Sequence, residues 1–251
     1  LVQNGDFSEE GSEEVSNGSF SQEGVQLVTN GNFDTDSDWI KNSGWTISGG
    51  NANSDGVSSN SSLYQNVGGV NNTIYKITGT ISNYVSGTLQ VGGSSNFLAV
   101  NSNGDFVHYR QWTSDSTLYL KSVNFIGSID NVSVREVGQD WTLGTGWSIG
   151  EDKASSDGSQ TSNSSLFQPN VLTQNKYYKF EFTLSNVTSG AVRLRNGIGD
   201  SETYISYQNS NGTYTAYSIV NSSNKTLVVD ADSSFNGSIT NISVKEVGQN
   251  W

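Results

Sequence analysis

SIDNVSVREVGQDW, at residues 128–141, returns almost letter for letter as SITNISVKEVGQNW at residues 238–251. Earlier segments return in the same order: Asp38-Trp39 as Asp140-Trp141, Gly44-Trp45 as Gly146-Trp147, and Asn60–Tyr64 as Asn163–Phe167. A repeat of about 105 residues has the size of one small domain. The chain is therefore expected to contain two copies of one domain.

Each copy is predicted to consist of short strands. Trp45-Thr46-Ile47 alternates apolar and polar residues, and Ile74–Ile81 corresponds to Tyr177–Leu184 as a longer strand. Turns rich in Gly, Asn and Ser separate these segments, and no segment has the 3.6-residue period of a helix. The predicted fold class is all-β, with tandem jelly-roll-like antiparallel β-sandwiches at 27–137 and 138–251.

Residues 1–26 form an acidic leader with a 13-residue repeat. The repeated positions are Val2, Val15 and Val28, then the Asn-Gly pairs at Asn4, Asn17 and Asn30, then Phe7, Phe20 and Phe33. Asn-Gly is a strong turn signal because both residues accept positive φ. The leader is either flexible or a stalk that becomes ordered by packing against other chains. Its third copy is expected to be the first strand of sandwich one, whereas copy two has no such opening directly before it.

The leader also predicts assembly. Phe7, Phe20 and the valines have no evident partner within the chain, so we expect residues 1–26 to be ordered only in an oligomer or larger particle, such as a symmetric fibre. Trp251 stands where Trp141 opens copy two, and we expect a longer parent protein with further copies.

The composition excludes several function classes. The 251 residues carry a net charge of −12, with a pI near 4.3. A phosphate backbone or an anionic membrane would repel this charge, so no nucleic acid and no membrane insertion are expected. The chain has no Cys and one His, which excludes thiolate metal sites and multi-His sites. No set of catalytic residues emerges, and we expect no enzyme activity.

The Leu27–Phe33 opening, the Trp39 and Trp45 pair and the Ile129–Val134 closing strand together resemble carbohydrate-binding-module jelly rolls of the CBM4/9-like group. They are also similar to repeated domains of bacteriophage tail-fibre and head-fibre proteins. The resemblance implies a sugar-binding sandwich with a structural calcium in copy one. Its matching ligands would be Asn32, Asp34 and Asp130, although Asp at these places also suits turns.

Aromatic residues near Arg are the candidates for sugar contact. The candidates are Tyr84, Tyr109, Arg110 and Trp112 in copy one, and Arg193, Arg195, Tyr204 and Tyr207 in copy two. A sugar ring stacks on Trp or Tyr while its hydroxyls bond polar side chains. Alternate aromatics of a sandwich also fill the core, so both interpretations stay open for Trp112 and Tyr109.

The predicted function is a non-catalytic structural and adhesive module array of a phage virion appendage or extracellular fibre. Its expected partners are other copies of itself, virion or fibre proteins, and surface glycans. The predicted location is the virion surface or the extracellular space. The alternative is a pair of carbohydrate-binding modules from a secreted polysaccharide-degrading enzyme.

Overall fold

The computed structural model describes residues 9–57, 59–113, 116–197 and 202–248, which fall into two compact units. The first sandwich is residues 23–137, and the second sandwich joins residues 9–22 to residues 138–248. The first sandwich is therefore inserted within the chain of the second. This division differs from the expected one, in which residues 1–26 stood apart from both sandwiches.

All regular structure in the described residues is strand. In chain order the strands are β1 (Glu10–Glu13), β2 (Ile40–Lys41), β3 (Trp45–Ser48), β4 (Asn51–Asp55), β5 (Ser59–Asn66), β6 (Ile74–Gly92), β7 (Leu98–Val100), β8 (Gly104–Gln111), β9 (Thr117–Val137), β10 (Thr142–Leu143), β11 (Trp147–Gly150), β12 (Lys153–Asp157), β13 (Ser164–Gln168), β14 (Tyr177–Ser189), β15 (Val192–Asn196), β16 (Thr203–Gln208), β17 (Gly212–Ile219), β18 (Leu227–Ala231) and β19 (Asn236–Val247).

Eight strands of the second sandwich have jelly-roll order. One sheet, called sheet 1, runs β12-β19-β14-β17, and the other, called sheet 2, runs β13-β18-β15-β16. When strands β12 to β19 are numbered 1 to 8, sheet 1 has the order 1-8-3-6 and sheet 2 has the order 2-7-4-5. All of these neighbours pair antiparallel, and β11 and β10 extend one edge of each sheet. The all-β, jelly-roll-like prediction is confirmed.

The first sandwich has the same order with longer strands, because β6 and β9 each pass through both sheets. In sheet 1, β4, the second half of β9, the first half of β6 and β8 are neighbours. In sheet 2 the order is β5, the first half of β9, the second half of β6, and β7. The register shifts between Ser82 and Thr88, where Gly87 approaches the carbonyl of Asn124. This bend carries each strand from one sheet to the other.

Residues 13–20 and 26–33, called the opening segments, hold equivalent places in the two sandwiches. Each lies beside the last strand of its sandwich: Glu14 N donates to Val244 O at 3.0 Å, and Leu27 N donates to Val134 O at 3.0 Å. β1, which ends at the first residue of the earlier segment, pairs antiparallel with β19. Residues 9–22 therefore complete sheet 1 of the second sandwich.

A tryptophan and a glutamine hold each opening segment in place. Trp141 Nε1 donates to Asn17 O at 3.2 Å, and its ring lies 5.4 Å from that of Phe20. Gln168 bonds both backbone groups of Ser16, at 2.8 and 2.9 Å. In the first sandwich, Trp39 contacts Asn30 and Phe33, and Gln65 bonds Thr29, through the same atoms.

In the two opening segments, the glycine after the asparagine is required by a close approach rather than by a turn. The asparagines have positive φ, 50° at Asn17 and 54° at Asn30. A Cβ on Gly18 would lie 1.9 Å from Ile242 O, and one on Gly31 would lie 2.0 Å from Val132 O. Only glycine lets these backbones come so near the last strand.

The expectation that Val15 and Phe20 have no partner within the chain is wrong, whereas assembly into an oligomer stays a prediction. Val15 is 6% exposed and Phe20 is 2% exposed within a single chain. Both side chains are covered by the second sandwich, whose sequence from residue 138 onward has no opening segment. Val2 and Phe7 lie outside the described residues, as does Trp251.

We predict that Phe20→Ala lowers the free energy of unfolding of the second sandwich by about 3–5 kcal/mol, because it leaves a cavity against Trp141. Val25→Ala is the control, since Val25 is 78% exposed and its truncation removes little burial. The measurement is denaturant unfolding followed by hydrogen exchange, which separates the two sandwiches. Equal losses in the two variants would contradict the docking of residues 13–20.

Candidate functional site

Sheet 2 of the second sandwich has one face toward the core and one face away from it. On β13, β15 and β18 the side chains of Leu166, Leu194 and Val229 are fully buried in the core. Their neighbours along each strand point the other way. These outward side chains, called the outer face, are Ser165, Phe167, Arg193, Arg195, Val228 and Asp230, together with Tyr207, which contacts Arg193.

Asp230 organises the outer face of the second sandwich. Its carboxylate accepts hydrogen bonds from Arg193 Nε at 2.9 Å and from Ser165 Oγ at 3.1 Å. Arg195 Nε lies 3.1 Å from the same carboxylate. Asp230 is only 2% exposed. Two arginines around one buried carboxylate leave a local positive charge with guanidinium groups held in fixed orientations.

An aromatic ring borders this charge cluster. Tyr207 is 42% exposed, and the Arg193 guanidinium lies 4.9 Å from its ring centre. Asn163 Nδ2 donates to the Tyr207 hydroxyl at 3.3 Å. An open depression of about 310 Å³ adjoins the face and is lined by Gly144, Thr145, residues 160–165 and Phe167. The depression offers an aromatic ring, amides and hydroxyls, and Asn163 links it to Tyr207 and so to the Arg193 guanidinium.

The first sandwich has a corresponding outer face with different chemistry. Tyr64 and Tyr119 are cross-strand partners whose rings stack at 5.3 Å. Lys121 Nζ lies 5.6 Å from the ring centre of Phe97, and Gln90 pairs with Lys121 across the sheet. All five residues are partly buried. This face is therefore aromatic and amphipathic, with one cation among the rings.

Strand register relates the two faces position by position. Tyr64 corresponds to Phe167, because each flanks the fully buried leucine of its strand. Lys121 corresponds to Asp230, and Gln90 corresponds to Arg193. The scaffold is retained while the charge at one central position is reversed, so the two faces are suited to different ligands.

Trp112 belongs to the core of the first sandwich. Its side chain is 0% exposed and packs edge-on against Tyr75 at 4.9 Å. Arg110 is also buried, with its guanidinium over the Trp112 ring and bonded to Ser95 O. The core interpretation therefore holds for Trp112, and neither residue presents a surface to a ligand.

Three further predicted residues lie apart from the outer faces. Tyr84 is partly buried against Phe125, at 6.2 Å, and its hydroxyl donates to Gly87 O. Tyr109 is a partly buried residue of β8, in sheet 1. Tyr204 is buried and stacks on Phe180 at 4.1 Å. Of the predicted sugar-contact residues, only Arg193, Arg195 and Tyr207 lie together on an outer face.

Glu202 explains why Tyr204 is held inside. The carboxylate accepts hydrogen bonds from the backbone N–H groups of Asn221 and Ser222 and from the Tyr204 hydroxyl. Burial alone would raise the pKa of Glu202, but these hydrogen bonds together outweigh it and hold the pKa below its ordinary value. The charged carboxylate ties two loops together and has a structural role.

The proposed calcium ligands do not form a carboxylate cluster. Asn32 donates its amide to Asp34, and Asp130 accepts the backbone N–H of Asn131. Within the described ranges no group of three or more His, Cys, Asp or Glu side chains could hold a metal ion. Both carboxylates have turn-type contacts, and calcium at this place stays a prediction.

No protein-family model and no curated protein sequence matches the chain. Among solved structures, a tandem of CBM22 domains from Paenibacillus barcinonensis Xyn10C is similar at 10% identity and a TM-score of 0.36, covering 90% of this chain and 99% of that one. An allantoicase is similar at 8% identity and a TM-score of 0.34, covering 92% and 93%. A structure of Sulfolobus turreted icosahedral virus is similar at 12% identity and a TM-score of 0.25, covering 84% and 59%.

These likenesses are too distant to say what this chain binds. In the part of the chain that the structure describes, no helix is long and apolar enough to cross a membrane.

We predict that Asp230→Asn lowers the free energy of unfolding of the second sandwich by about 3 kcal/mol, since Arg195 would stay buried beside a neutral side chain. The matched control is Lys121→Gln at the corresponding position of the first sandwich. Lys121 is only partly buried, and its cation–π contact contributes less than about 1 kcal/mol. Denaturant titration of both variants tests the difference, and equal losses would contradict an organising role for Asp230.

Proposed function

We propose that this protein is a non-catalytic structural and adhesive array whose sandwiches contact surface glycans through their outer faces. The observation that carries the proposal is the repeated placement of aromatic and hydrogen-bonding side chains on the same face of sheet 2. The sandwich core does not need polar groups there. In the second sandwich that face nevertheless holds a buried carboxylate and two arginines.

The chemistry of each face suits a sugar ring. A pyranose has an apolar C–H face that packs on an aromatic ring and equatorial hydroxyls that accept or donate hydrogen bonds. Tyr207 offers the ring, and Arg193 and Asn163 offer donors beside it. Arg195 is buried, but the net positive charge around Asp230 reaches the surface through the partly exposed Arg193 and favours a sugar that carries a carboxylate or sulfate. The Tyr64 and Tyr119 pair offers a larger aromatic surface and favours a neutral chain.

Several wider features belong to the proposal. We assign the sandwiches to the CBM4/9-like type on the motifs of their opening and closing strands. We place the protein on a virion appendage or extracellular fibre, with other copies and fibre proteins as partners. The net charge of −12 supports a solvated, exposed surface. The sandwich pair of a secreted polysaccharide-degrading enzyme would use the same outer faces.

The test is a glycan array probed with the wild-type chain and two outer-face variants, Tyr64→Ala/Tyr119→Ala and Tyr207→Ala. The affinity of each sandwich for its glycan class should fall about tenfold or more when the aromatic group of that sandwich's outer face is removed. Tyr207→Ala should weaken binding to acidic glycans, and the double variant should weaken binding to neutral ones.

The matched control is Tyr217→Ala, which removes a tyrosine of greater exposure, 57% against 42% for Tyr207, from sheet 1 of the second sandwich. It should leave all binding unchanged. Absence of binding to every glycan by the wild-type chain would remove the adhesive part of the proposal. Equal loss in Tyr217→Ala would show that the outer faces are not the site.

A further inference from the structure

β17 forms one edge of sheet 1 in the second sandwich. In the part of the chain that the structure describes, β17 pairs with β14 and with no other strand. Just beyond β17, Val220 N donates to Lys176 O at 2.9 Å, which fixes the alternation of hydrogen bonds along the strand. Every second residue therefore directs its backbone N–H and C=O away from β14. The residues with these outward backbone groups are Thr213, Thr215, Tyr217 and Ile219.

β17 lacks the features that usually protect an edge strand from further pairing. Short length, bulges and charged side chains are the common protections. Among the other edges in the described ranges, β2 and β10 are short, and β16 has register shifts in its pairing. β8, the equivalent edge of the first sandwich, is as long as β17 but carries Asp105 and Arg110. β17 has 8 residues, no charged side chain and regular pairing throughout.

Apolar side chains are exposed along the same edge. Tyr217 is 57% exposed and Ile219 is 42% exposed. Tyr177, the cross-strand partner of Ile219 on β14, is 47% exposed. Single exposed apolar residues are ordinary on a protein surface, but neighbouring ones at an open sheet edge mark an interaction surface.

The charges beside this edge favour a neutral partner. Lys176 lies 2.7 Å from Glu246, and Lys179 lies 2.7 Å from Glu10, so both lysines are neutralised within the second sandwich. A strongly acidic or basic partner would therefore gain no charge pair here. A second copy of the chain suits the edge, because its own β17 is an uncharged strand with the same outward backbone groups. Two chains that each carry a net charge of −12 also need an uncharged place at which to meet.

We propose that β17 pairs with β17 of a second copy, antiparallel about a twofold axis. In the register that pairs every outward residue, Thr215 of each copy lies opposite Tyr217 of the other, and Thr213 lies opposite Ile219. Both copies then use the same patch, as a twofold interface requires. Sheet 1 becomes continuous across two sandwiches, as in other cases of strand addition. The proposal rests on the part of the proposed function that names other copies as partners, and it does not involve the outer faces of sheet 2.

The test compares Thr215→Pro with Val107→Pro by sedimentation equilibrium. Proline at position 215 removes an outward N–H and leaves the hydrogen bonds to β14 in place. Val107 is the matched control, because it has the same outward position on β8. The wild-type chain should form a dimer with a dissociation constant of about 10–100 µM, as suits a small interface. Thr215→Pro should weaken the dimer about tenfold or more, and Val107→Pro should leave it unchanged.

Hydrogen exchange identifies the strand that pairs. When the wild-type concentration is raised from about 1 µM to about 1 mM, the outward amides of β17 should become more protected, whereas those of Val107 and Tyr109 should not change. Tyr217→Lys is a second variant in case the proline variant does not fold. It changes only an exposed side chain and places one lysine from each copy beside the twofold axis, so it should also weaken the dimer about tenfold or more.

A wild-type chain that stays monomeric at about 1 mM would overturn the proposal. A dimer that neither Thr215→Pro nor Tyr217→Lys weakens would also overturn it, and would show that the copies meet at another surface. The glycan array tests the adhesive part of the proposed function separately, because these variants keep Tyr64, Tyr119 and Tyr207.

Discussion

The pairing of an opening segment with the last strand of its sandwich is the contact on which each domain depends. In the second sandwich the last strand, β19, pairs with β14 on one side. On its other side, the second half of β19 contacts β1 and the opening segment. Gly18 and Gly31 allow the two backbones to approach closely, and Phe20 and Phe33 are buried in the contact. Without the segment, backbone groups of the last strand and the ring of Trp141 or Trp39 would face water.

This dependence explains why the acidic leader belongs to the fold. The chain first supplies the opening of the second sandwich, then builds the whole first sandwich, and only then returns to the second. Hydrogen bonds join Glu13 to Val244 and Asn17 to Trp141 across that insertion. Closing so long a loop is entropically costly, but the cost grows only slowly with loop length. The first sandwich is therefore nested within the second along the chain.

Part of this architecture follows from local sequence and part does not. The duplicated alternation at Trp45–Ile47 and Trp147–Ile149 predicts strands, and their repetition predicts two sandwiches. The partner of residues 13–20 could not be predicted, because the contact is made more than a hundred residues away, across the whole inserted first sandwich. The motif itself held the signal, since Val15–Phe20 carries every contacting residue found at Val28–Phe33.

The candidate site shows a similar limit. Arg193, Arg195 and Tyr207 were predicted because aromatic and cationic residues occur together there, and strand pairing brings them to one face. Trp112 follows the end of β8, where period-two alternation no longer indicates which side faces the core, and it is buried. Tyr64 and Tyr119 were not predicted to form an aromatic surface. Their strands alternate around buried leucines, and that alternation places them on the outward side.

The central claim is that residues 13–20 complete the second sandwich across the inserted first one. Equilibrium hydrogen exchange of the intact monomeric chain, measured by mass spectrometry with single-residue fragmentation, tests it most directly. The amides of Glu14, Ser16 and Phe20 donate to Val244 O, Gln168 Oε1 and Asn17 O, as those of Leu27, Thr29 and Phe33 donate to their counterparts. If the claim is right, the amides of Glu14, Ser16 and Phe20 are protected to a degree similar to those of Leu27, Thr29 and Phe33. Exchange of residues 9–22 at the rate of a free peptide, with residues 26–33 still protected, would contradict it.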